Sequence, residues 1–316
     1  MSFRDLDTLV DAHQSVTTKV FHDGELVYQN LSNRVDRPWR VYSVTKSVVS
    51  LLVGIAQEEG LLSLDDTVAS YIPQWDQGPS ANVTLRHLLS MTSGREWSGT
   101  LDDEMVSIAA DQSEFALGVG QGDTPGTVWR YDNVAAQVLE PVLTKVTGGI
   151  TAYAEQKLFN PLGIGELSWQ RDEAGNPLTY AGLTATADQL GILGHFMLNQ
   201  GAVAGEQIVP ADYIAQATSP GSALNSAYGL MWWSNAAGQF LDGGVAVGRS
   251  VDTEARAGQL APDVPSDAFW ALGWGGQILA VVPSKKVVAI RLGRRPRYPD
   301  DFTVEKFTST VLDCFS

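Results

Sequence analysis

The sequence predicts a mixed α/β (α+β) fold: an antiparallel sheet built from N- and C-terminal strands, flanked by helices, with an inserted, mostly helical lobe. A hairpin pattern near the N-terminus and short runs of aromatic and β-branched residues after residue 225 indicate strands at both ends of the chain. Helical periodicity punctuated by glycine and proline indicates helices between them. We therefore expect residues 1–60 and 221–316 to form the sheet lobe and residues 61–220 to form the helical lobe.

Local signals predict the first hairpin and the first long helix. Asp23-Gly24 tolerates the positive φ angles of a tight turn, so residues 19–30 should form two short strands around it. Over residues 43–59 apolar side chains recur at helical spacing, and Gly60 supplies a stop. We expect this helix to be buried, because much of its length is apolar.

The later elements follow from the same kinds of signal. Thr186 and Gln189 form a capping-box pattern at the start of a helix that Gly201 ends. Pro141 falls inside the helix expected after residue 133 and should kink or end it. Strands are predicted over residues 228–233, 269–274, 278–282 and 287–292, and an amphipathic helix over residues 302–315.

Charge and cysteine content argue against several classes of partner. Lysine and arginine number 21 against 36 aspartate and glutamate, and the net charge of −15 repels nucleic acid and anionic lipid. The lone Cys314 cannot pair within the chain, and no two histidines stand four residues apart. We expect no metal or organic cofactor. Without a signal-like or membrane-spanning stretch, we expect a cytoplasmic location.

A candidate nucleophile motif, Ser43-Val44-Thr45-Lys46, opens the predicted long helix. Residues three apart share one face of a helix, so the hydroxyl and the amine come within reach of each other. A lysine can take a serine proton when desolvation lowers its pKa. The apolar residues after Lys46 favour such burial, whereas on a solvated helix the same motif would carry no chemistry.

Two further segments are candidates for the same site, and each has an ordinary structural interpretation as well. Tyr131-Asp132-Asn133 precedes a short apolar helix pattern and also fits a helix N-cap. Gly273-Trp274-Gly275-Gly276-Gln277 leads into a strand, where glycines mark either a turn or a close backbone approach to another group.

Together and in this order, the three elements resemble those of the serine β-lactamase and penicillin-binding-protein superfamily, in particular its class C β-lactamase-related branch of esterases, amidases and D-peptidases. Residues 60–66, 84–94, 158–163 and 228–233 are similar to further segments of that branch. Residues 43–50 also resemble the matching segment of 6-aminohexanoate-dimer hydrolases and their esterase relatives. The resemblance implies a β-lactamase/transpeptidase-like fold.

The resemblance also implies a role for each reactive side chain. Ser43 matches the acylated nucleophile, and Lys46 matches the lysine that shares or relays its proton. Tyr131 matches the tyrosine that works with this lysine as general base and then as acid to the leaving group. Asn133 matches the asparagine that holds the lysine and a polar group of the substrate. The expected function is therefore hydrolysis of a small ester or amide through an acyl-enzyme on Ser43.

The strand edge would complete the site. Trp274, Gly275 and Gly276 occupy the place of Lys-Thr-Gly, and the backbone N–H groups of Ser43 and Gln277 would form the oxyanion hole. Trp274 replaces the cation that many β-lactamases use near a substrate carboxylate. The alternatives to ester or amide hydrolysis are β-lactamase or D-amino-acid peptidase activity, and a binding protein of the same fold without catalysis.

Other polar residues are predicted to be structural. The absence of a Gly-x-Ser-x-Gly pentapeptide argues against a Ser-His-Asp site, so His87 and His195 should serve packing or hydrogen bonding. Residues 172–180 should form a surface loop. The basic residues near the C-terminus should be a solvated strand end rather than an anion site; they are Lys285, Lys286, Arg291, Arg294, Arg295 and Arg297.

Overall fold

Strands from both ends of the chain meet in one central sheet. The structure, a computed structural model, describes residues 2–32, 35–242, 254–296 and 301–315. Its strands in chain order are β1 (Ser15–His22), β2 (Glu25–Leu31), β3 (Trp39–Arg40), β4 (Ser168–Trp169), β5 (Leu183–Ala185), β6 (Ala202–Val203), β7 (Glu206–Gln207), β8 (Trp233–Ser234), β9 (Gly238–Phe240), β10 (Arg256–Gly258), β11 (Phe269–Gly273), β12 (Gln277–Val282) and β13 (Val287–Gly293). The central sheet is antiparallel, with the order β2-β1-β13-β12-β11-β8. The predicted fold class is confirmed.

Helices cover both faces of this sheet. In chain order they are α1 (Arg4–Ala12), α2 (Val44–Glu58), α3 (Leu85–Leu89), α4 (Gly99–Ser107), α5 (Gln112–Gly118), α6 (Asn133–Gln137), α7 (Leu139–Thr147), α8 (Ile150–Ala154), α9 (Asn160–Leu162), α10 (Ala187–Leu198), α11 (Ala211–Ala217) and α12 (Val304–Asp313). Gly194 of α10 lies against Leu279. On α12, Thr308 accepts a hydrogen bond from the Trp270 indole at 3.0 Å. Trp270 pairs with Ala280, the neighbour of Leu279 in β12, so α10 and α12 lie on opposite faces.

The predicted N-terminal hairpin and capping box are both present. Asp23 and Gly24 have φ angles of 50° and 86° and join β1 to β2, as the sequence predicts. Thr186 accepts from the Gln189 N–H at 3.1 Å, and the Gln189 side chain accepts from the Thr186 N–H at 2.9 Å. These short-range signals are satisfied by neighbouring residues, which is why the sequence is sufficient to predict them.

The long helix α2 runs through the interior and positions the candidate nucleophile. Every residue from Val44 to Ala56 is buried. The helix packs against α7 and α11 and against the strands β11 and β12. Its N-terminus therefore opens between the edge of the sheet and the helices that follow α2.

The structure corrects one strand prediction and explains one helix break. Residues 228–233 are largely a turn, because Met231 has a φ angle of 61° and the Gly229 N–H donates to the Trp232 carbonyl at 2.8 Å. The helix after Asn133 divides into α6 and α7 just before Pro141. Proline clashes with the carbonyl four residues earlier, which is where α6 ends.

The division into two lobes stays a prediction, and one helix bears on its boundary. α10 lies within residues 61–220, yet it packs on β1, β12 and β13 of the central sheet. In the part of the chain that the structure describes, none of the helices combines the length and the apolar content needed to cross a bilayer.

Candidate active site

Ser43 and Lys46 lie one turn apart at the beginning of α2. Ser43 is the N-cap residue, and its side chain makes no capping hydrogen bond. Lys46 Nζ donates to Ser43 Oγ at 3.1 Å. The preceding Tyr42 has a φ angle of 48°, a left-handed conformation that bulky residues rarely adopt. Backbone strain is thus located directly beside the candidate nucleophile.

Lys46 is buried and has three hydrogen-bond acceptors. Its side chain is 1% exposed. Besides Ser43, it donates to Asn133 Oδ1 at 2.6 Å and to the Tyr180 carbonyl at 2.8 Å. Asn133 begins α6, and the adjacent Asp132 caps that helix by accepting a backbone N–H at 3.1 Å. The helix-cap interpretation therefore applies to Asp132, while Asn133 reaches the lysine.

Tyr131 lies beside the same serine and lysine. Lys46 Nζ is 4.8 Å from the centre of the Tyr131 ring. Trp233 stacks on this ring at 5.8 Å and Tyr228 meets it edge-on at 6.0 Å, so the ring has a fixed position. Burial raises the pKa of Tyr131 well above its usual value, and a hydrogen bond with Ser43 only partly offsets that rise. The hydroxyl is therefore neutral at physiological pH.

Burial also controls the charge of Lys46. Removal of the ammonium group from water lowers the pKa of Lys46 to about 7, and the carboxyl groups of Asp102 and Asp132 oppose this shift. In turn, burial raises the pKa of Asp132 to about 7 and the pKa of Asp102 above its usual range. The amine can therefore lose and regain a proton near neutral pH.

Asp102 is a site residue that sequence reasoning missed. It lies in α4, 31 residues before Asn133, and its Oδ2 accepts a hydrogen bond from Asn133 Nδ2 at 2.6 Å. In the sequence it belongs to the acidic stretch Asp102-Asp103-Glu104, which is typical of a solvated helix N-terminus. No local signal distinguishes it from its exposed neighbours.

The Tyr180 carbonyl was also missed, because a backbone group leaves no signature in the sequence. The surface-loop prediction for residues 172–180 is wrong at its end, since residues 177–180 are buried. The Tyr180 hydroxyl donates to Gln112 at 2.9 Å, and the Thr179 N–H donates to Gln137 at 3.0 Å. These contacts hold the segment in the interior, where its carbonyl meets Lys46.

The turn Trp274-Gly275-Gly276 joins β11 to β12 beside the nucleophile segment. Both glycines have positive φ angles, 80° and 77°, which favour glycine. The Trp274 side chain is 44% exposed, and its ring centre lies 5.4 Å from that of Tyr42. Gly273 lies so close to Val41 that a Cβ there would be 2.1 Å from the Val41 carbonyl oxygen. The structure thus brings this turn next to the residues that precede Ser43.

Two buried side chains hold the turn. Gln277 donates to the Trp274 carbonyl at 3.0 Å, and Arg291 donates to the carbonyls of both turn glycines at 2.7 and 2.9 Å. The prediction of a solvated basic cluster is therefore wrong for Arg291, which is fully buried. Arg297 lies outside the described residues.

The two helical histidines serve structural hydrogen bonds, as predicted. His87 Nδ1 accepts from the Thr84 N–H at 3.1 Å and completes the cap of α3. His195 Nδ1 lies 2.8 Å from the Gly191 carbonyl within α10.

The fold and the site define the class of protein. A Ser-x-x-Lys motif at the start of a buried helix, beside the edge of an antiparallel sheet with helices on both faces, is typical of the β-lactamase/transpeptidase fold. The chain belongs to the beta-lactamase family, whose model, described as Beta-lactamase, matches residues 4–308.

Individual relatives agree with that membership. An uncharacterised protein of Alkalihalophilus pseudofirmus is 24% identical over 308 residues, covering 88% of this chain and 81% of that protein. Esterase EstB of Burkholderia gladioli is 30% identical over 174 residues, covering 46% of this chain and 44% of EstB. A solved structure described as a 6-aminohexanoate-dimer hydrolase, from Bacillus anthracis, has a TM-score of 0.78 at 20% identity, covering 98% of this chain and 81% of the other. The last two names are those of hydrolases, which supports an enzyme.

Proposed function

We propose that this protein is a serine hydrolase that cleaves a small carboxylic ester or amide through an acyl-enzyme on Ser43. The observation that carries the proposal is the 3.1 Å contact between Ser43 Oγ and the buried Lys46 Nζ, with the pKa of that lysine lowered to about 7. An ordinary lysine is protonated at neutral pH and cannot accept a proton. Burial therefore supports a role for this lysine as a base.

In the proposed acylation step, neutral Lys46 takes the Ser43 proton while Oγ forms a bond to the substrate carbonyl carbon. The carbonyl electron pair moves to oxygen and gives a tetrahedral oxyanion. When this pair returns, the bond to the alkoxide or amine breaks, and the Tyr131 hydroxyl protonates the leaving group. The Lys46 ammonium then returns its proton to Tyr131. Water then attacks the acyl carbon and gives a proton to Lys46. The bond from that carbon to Ser43 Oγ breaks, the carboxylic acid leaves, and Lys46 returns the proton to Oγ.

The strand register bears on which backbone groups could hold the oxyanion. The Asn235 N–H donates to the Ala268 carbonyl at 3.0 Å, so the even-numbered residues at this end of the sheet hydrogen bond toward β8. The odd-numbered residues of β11, ending at Gly273, then face β12. The Gly273 carbonyl is accordingly directed at Gln277, its partner across the hairpin.

This direction favours Trp274 over Gln277 as an oxyanion donor. The described chain contains no cis peptide bond, so the Trp274 N–H points opposite to the Gly273 carbonyl and away from β12. β8 pairs with β11 only at residues 269 and 270, so it does not cover this end of the edge. We propose that the backbone N–H groups of Ser43 and Trp274 donate to the oxyanion, and that the Gln277 backbone hydrogen bonds within the β11–β12 hairpin instead.

The substrate class follows from the exposed indole at the site. Trp274 offers an apolar surface where a cation would bind a substrate carboxylate, which favours an uncharged small ester or linear amide over a β-lactam. The names of EstB and of the Bacillus anthracis protein support the same choice. The proposed partner is thus a small molecule.

Replacement of the nucleophile tests the proposal. Ser43→Ala should lower kcat/KM for short-chain p-nitrophenyl esters by about 10³-fold or more, because the acyl-enzyme cannot form. A fluorophosphonate should add its mass to the wild type at Ser43 and leave Ser43→Ala unmodified, as read by intact mass spectrometry. Ser107→Ala, at an exposed serine in α4, is the matched control and should behave as wild type.

A panel of short-chain esters, linear amides, β-lactams and D-amino-acid peptides separates the proposed function from its alternatives. Turnover of β-lactams or of D-amino-acid peptides in preference to esters and linear amides would replace the proposed substrate class. A wild type that neither turns over any of these compounds nor reacts at Ser43 would be a binding protein. Ester turnover in Ser43→Ala near the wild-type rate would end the mechanism.

A further inference from the structure

A carboxyl group outside the recognised motifs ends the hydrogen-bond chain that begins at Ser43. The chain runs from Ser43 Oγ to Lys46 Nζ at 3.1 Å, from there to Asn133 Oδ1 at 2.6 Å, and from Asn133 Nδ2 to Asp102 Oδ2 at 2.6 Å. Asp102 Oδ1 is also buried and has no hydrogen-bond partner among the residues that the structure describes.

The chemistry of an aspartate fixes the orientation of the asparagine between it and Lys46. An ionised carboxylate only accepts hydrogen bonds, so the end of the Asn133 amide that faces Asp102 must be the NH₂ group. The amide oxygen then faces Lys46, which in its ammonium form only donates hydrogen bonds. An asparagine in place of Asp102 would still offer a carbonyl oxygen to this NH₂ group, whereas an alanine would offer no acceptor.

The charged groups around Lys46 come from several elements. Asp102 of α4 and Asp132 at the cap of α6 both favour its protonated form. Arg95, in the segment before α4, lowers the pKa of Asp132 through its positive charge. The exposed Asp103 raises the pKa of Asp102 through its negative charge. Tyr131 and Tyr180 place their rings 4.8 and 5.8 Å from Nζ. Asp102 is the carboxyl group of this set that is joined to Lys46 through a single side chain.

We propose that Asp102 is a positioning residue for the Ser43–Lys46 pair: it orients the Asn133 amide and supplies the negative charge that holds a proton on Lys46 between proton transfers. This inference rests on the proposed function. Its effect has a definite sign. Loss of the Asp102 charge removes an interaction that raises the pKa of Lys46, so neutral lysine becomes available at lower pH.

Two substitutions separate orientation from charge. Asp102→Asn keeps an acceptor for Asn133 and removes the charge, so the acid limb of the kcat/KM profile should move down by about one pH unit. Asp102→Ala removes both and should also lower the plateau of kcat/KM by about tenfold or more, because Asn133 loses its fixed orientation. Asp103→Asn, the same change at the exposed neighbour in α4, should leave the limb in place.

The readouts are the kcat/KM profile for a p-nitrophenyl ester and the pH dependence of fluorophosphonate labelling at Ser43, with circular dichroism to verify folding. An acid limb in Asp102→Asn that matches the wild type overturns the inference. If Asp102→Asn does not fold, Asp102→Glu replaces it: this variant keeps the charge and should keep the limb, and a downward shift there overturns the inference.

Failure of this inference is distinguishable from failure of the proposed function. Suppose that Ser43→Ala is inactive and unlabelled while Asp102→Asn has the kcat/KM pH profile of the wild type. The assignment of Ser43 as the nucleophile is then supported, and the positioning role of Asp102 is wrong. If Ser43→Ala keeps its activity, the proposed function falls with it.

Discussion

Lys46 combines the two properties on which the proposed chemistry depends, a lowered pKa and a fixed position. Burial lowers the pKa of Lys46 to about 7 by disfavouring the ammonium form. The acceptors on Ser43, Asn133 and Tyr180 hold the amine beside the hydroxyl. Tyr131 differs in direction, because burial raises its pKa and keeps it a proton donor. Burial therefore makes Lys46 available as a base and keeps the neighbouring Tyr131 protonated as an acid.

The pH dependence of the reaction is the prediction that belongs to this residue. Since neutral Lys46 is the proposed base, kcat/KM for ester hydrolysis should rise as pH increases through about 7 and then level off. The pKa of Tyr131 lies well above its usual value, so no descending limb from that residue is expected near neutral pH. Steady-state rates between about pH 5 and 9 measure the profile.

Lys46→Arg is the control for the lysine assignment. Arginine keeps the positive charge and cannot be deprotonated, so this variant should lose activity at every pH tested. A wild-type profile that is flat between about pH 6 and 8 would exclude Lys46 as the titrating base.

At the scale of elements, the contact between β11 and the segment before α2 sets the geometry of the site. Gly273 backs directly against Val41, and Trp274 packs on Tyr42. Arg291, on β13, donates hydrogen bonds to the two glycine carbonyls of the turn that follows β11. The nucleophile and the strand edge are therefore separate in sequence and rigidly connected in the fold.

A single added methyl group should disturb this contact. Gly273→Ala would place a Cβ 2.1 Å from the Val41 carbonyl oxygen, so β11 and the nucleophile segment must move apart. We expect kcat to fall by about tenfold or more, because a small misplacement of catalytic groups slows the reaction strongly. The melting temperature should also fall, because the added methyl group overpacks the contact. Kinetics and circular dichroism melts measure the two effects.

Gly118→Ala is the matched control for that substitution. Gly118 is in α5, and a Cβ there meets nothing within 4 Å. Because alanine favours helix by up to about 1 kcal/mol over glycine, this variant should be neutral or slightly more stable and fully active. Equal behaviour of the two alanine variants would mean that the β11 contact does not position the site.

At the scale of the whole molecule, the site lowers stability near neutral pH. Asp132 has a pKa of about 7 in the fold and an ordinary value near 3.8 when exposed. Between these values the folded state binds more protons than the unfolded state, so stability decreases as pH rises from about 4 to 7. The buried Lys46 acts in the opposite direction above about pH 7, where the unfolded state binds more protons.

Asp132→Asn tests this linkage. Asparagine caps a helix as well as aspartate does, so the α6 cap should survive. We expect the free energy of unfolding to increase by roughly 1–3 kcal/mol at pH 8 and to change little at pH 4. Chemical denaturation at the two pH values measures it, with Asp111→Asn at the exposed cap of α5 as the control. A gain that is the same at both pH values would contradict the buried-carboxyl explanation.

Sequence reasoning succeeded where the interacting residues are neighbours in the chain. The Asp23-Gly24 hairpin, the Thr186 capping box and the Ser43–Lys46 pair each depend on residues within a few positions of one another. It failed over residues 228–233 because Met231 is held by distant partners: its N–H donates to Leu89 and its carbonyl accepts from Ser47. Strand propensity could not reveal those contacts.

The sequence by itself determined the fold class, the family and the Ser43–Lys46 pair, because hydrophobic periodicity and short motifs encode local geometry. The tertiary structure alone brought Asp102 to Asn133, turned the Tyr180 carbonyl toward Lys46 and buried Arg291 under the turn. Each of these three contacts joins residues at least 15 positions apart. Charge and burial at the site are properties of that packing, and so is the pKa of about 7 that makes a lysine suitable as a base.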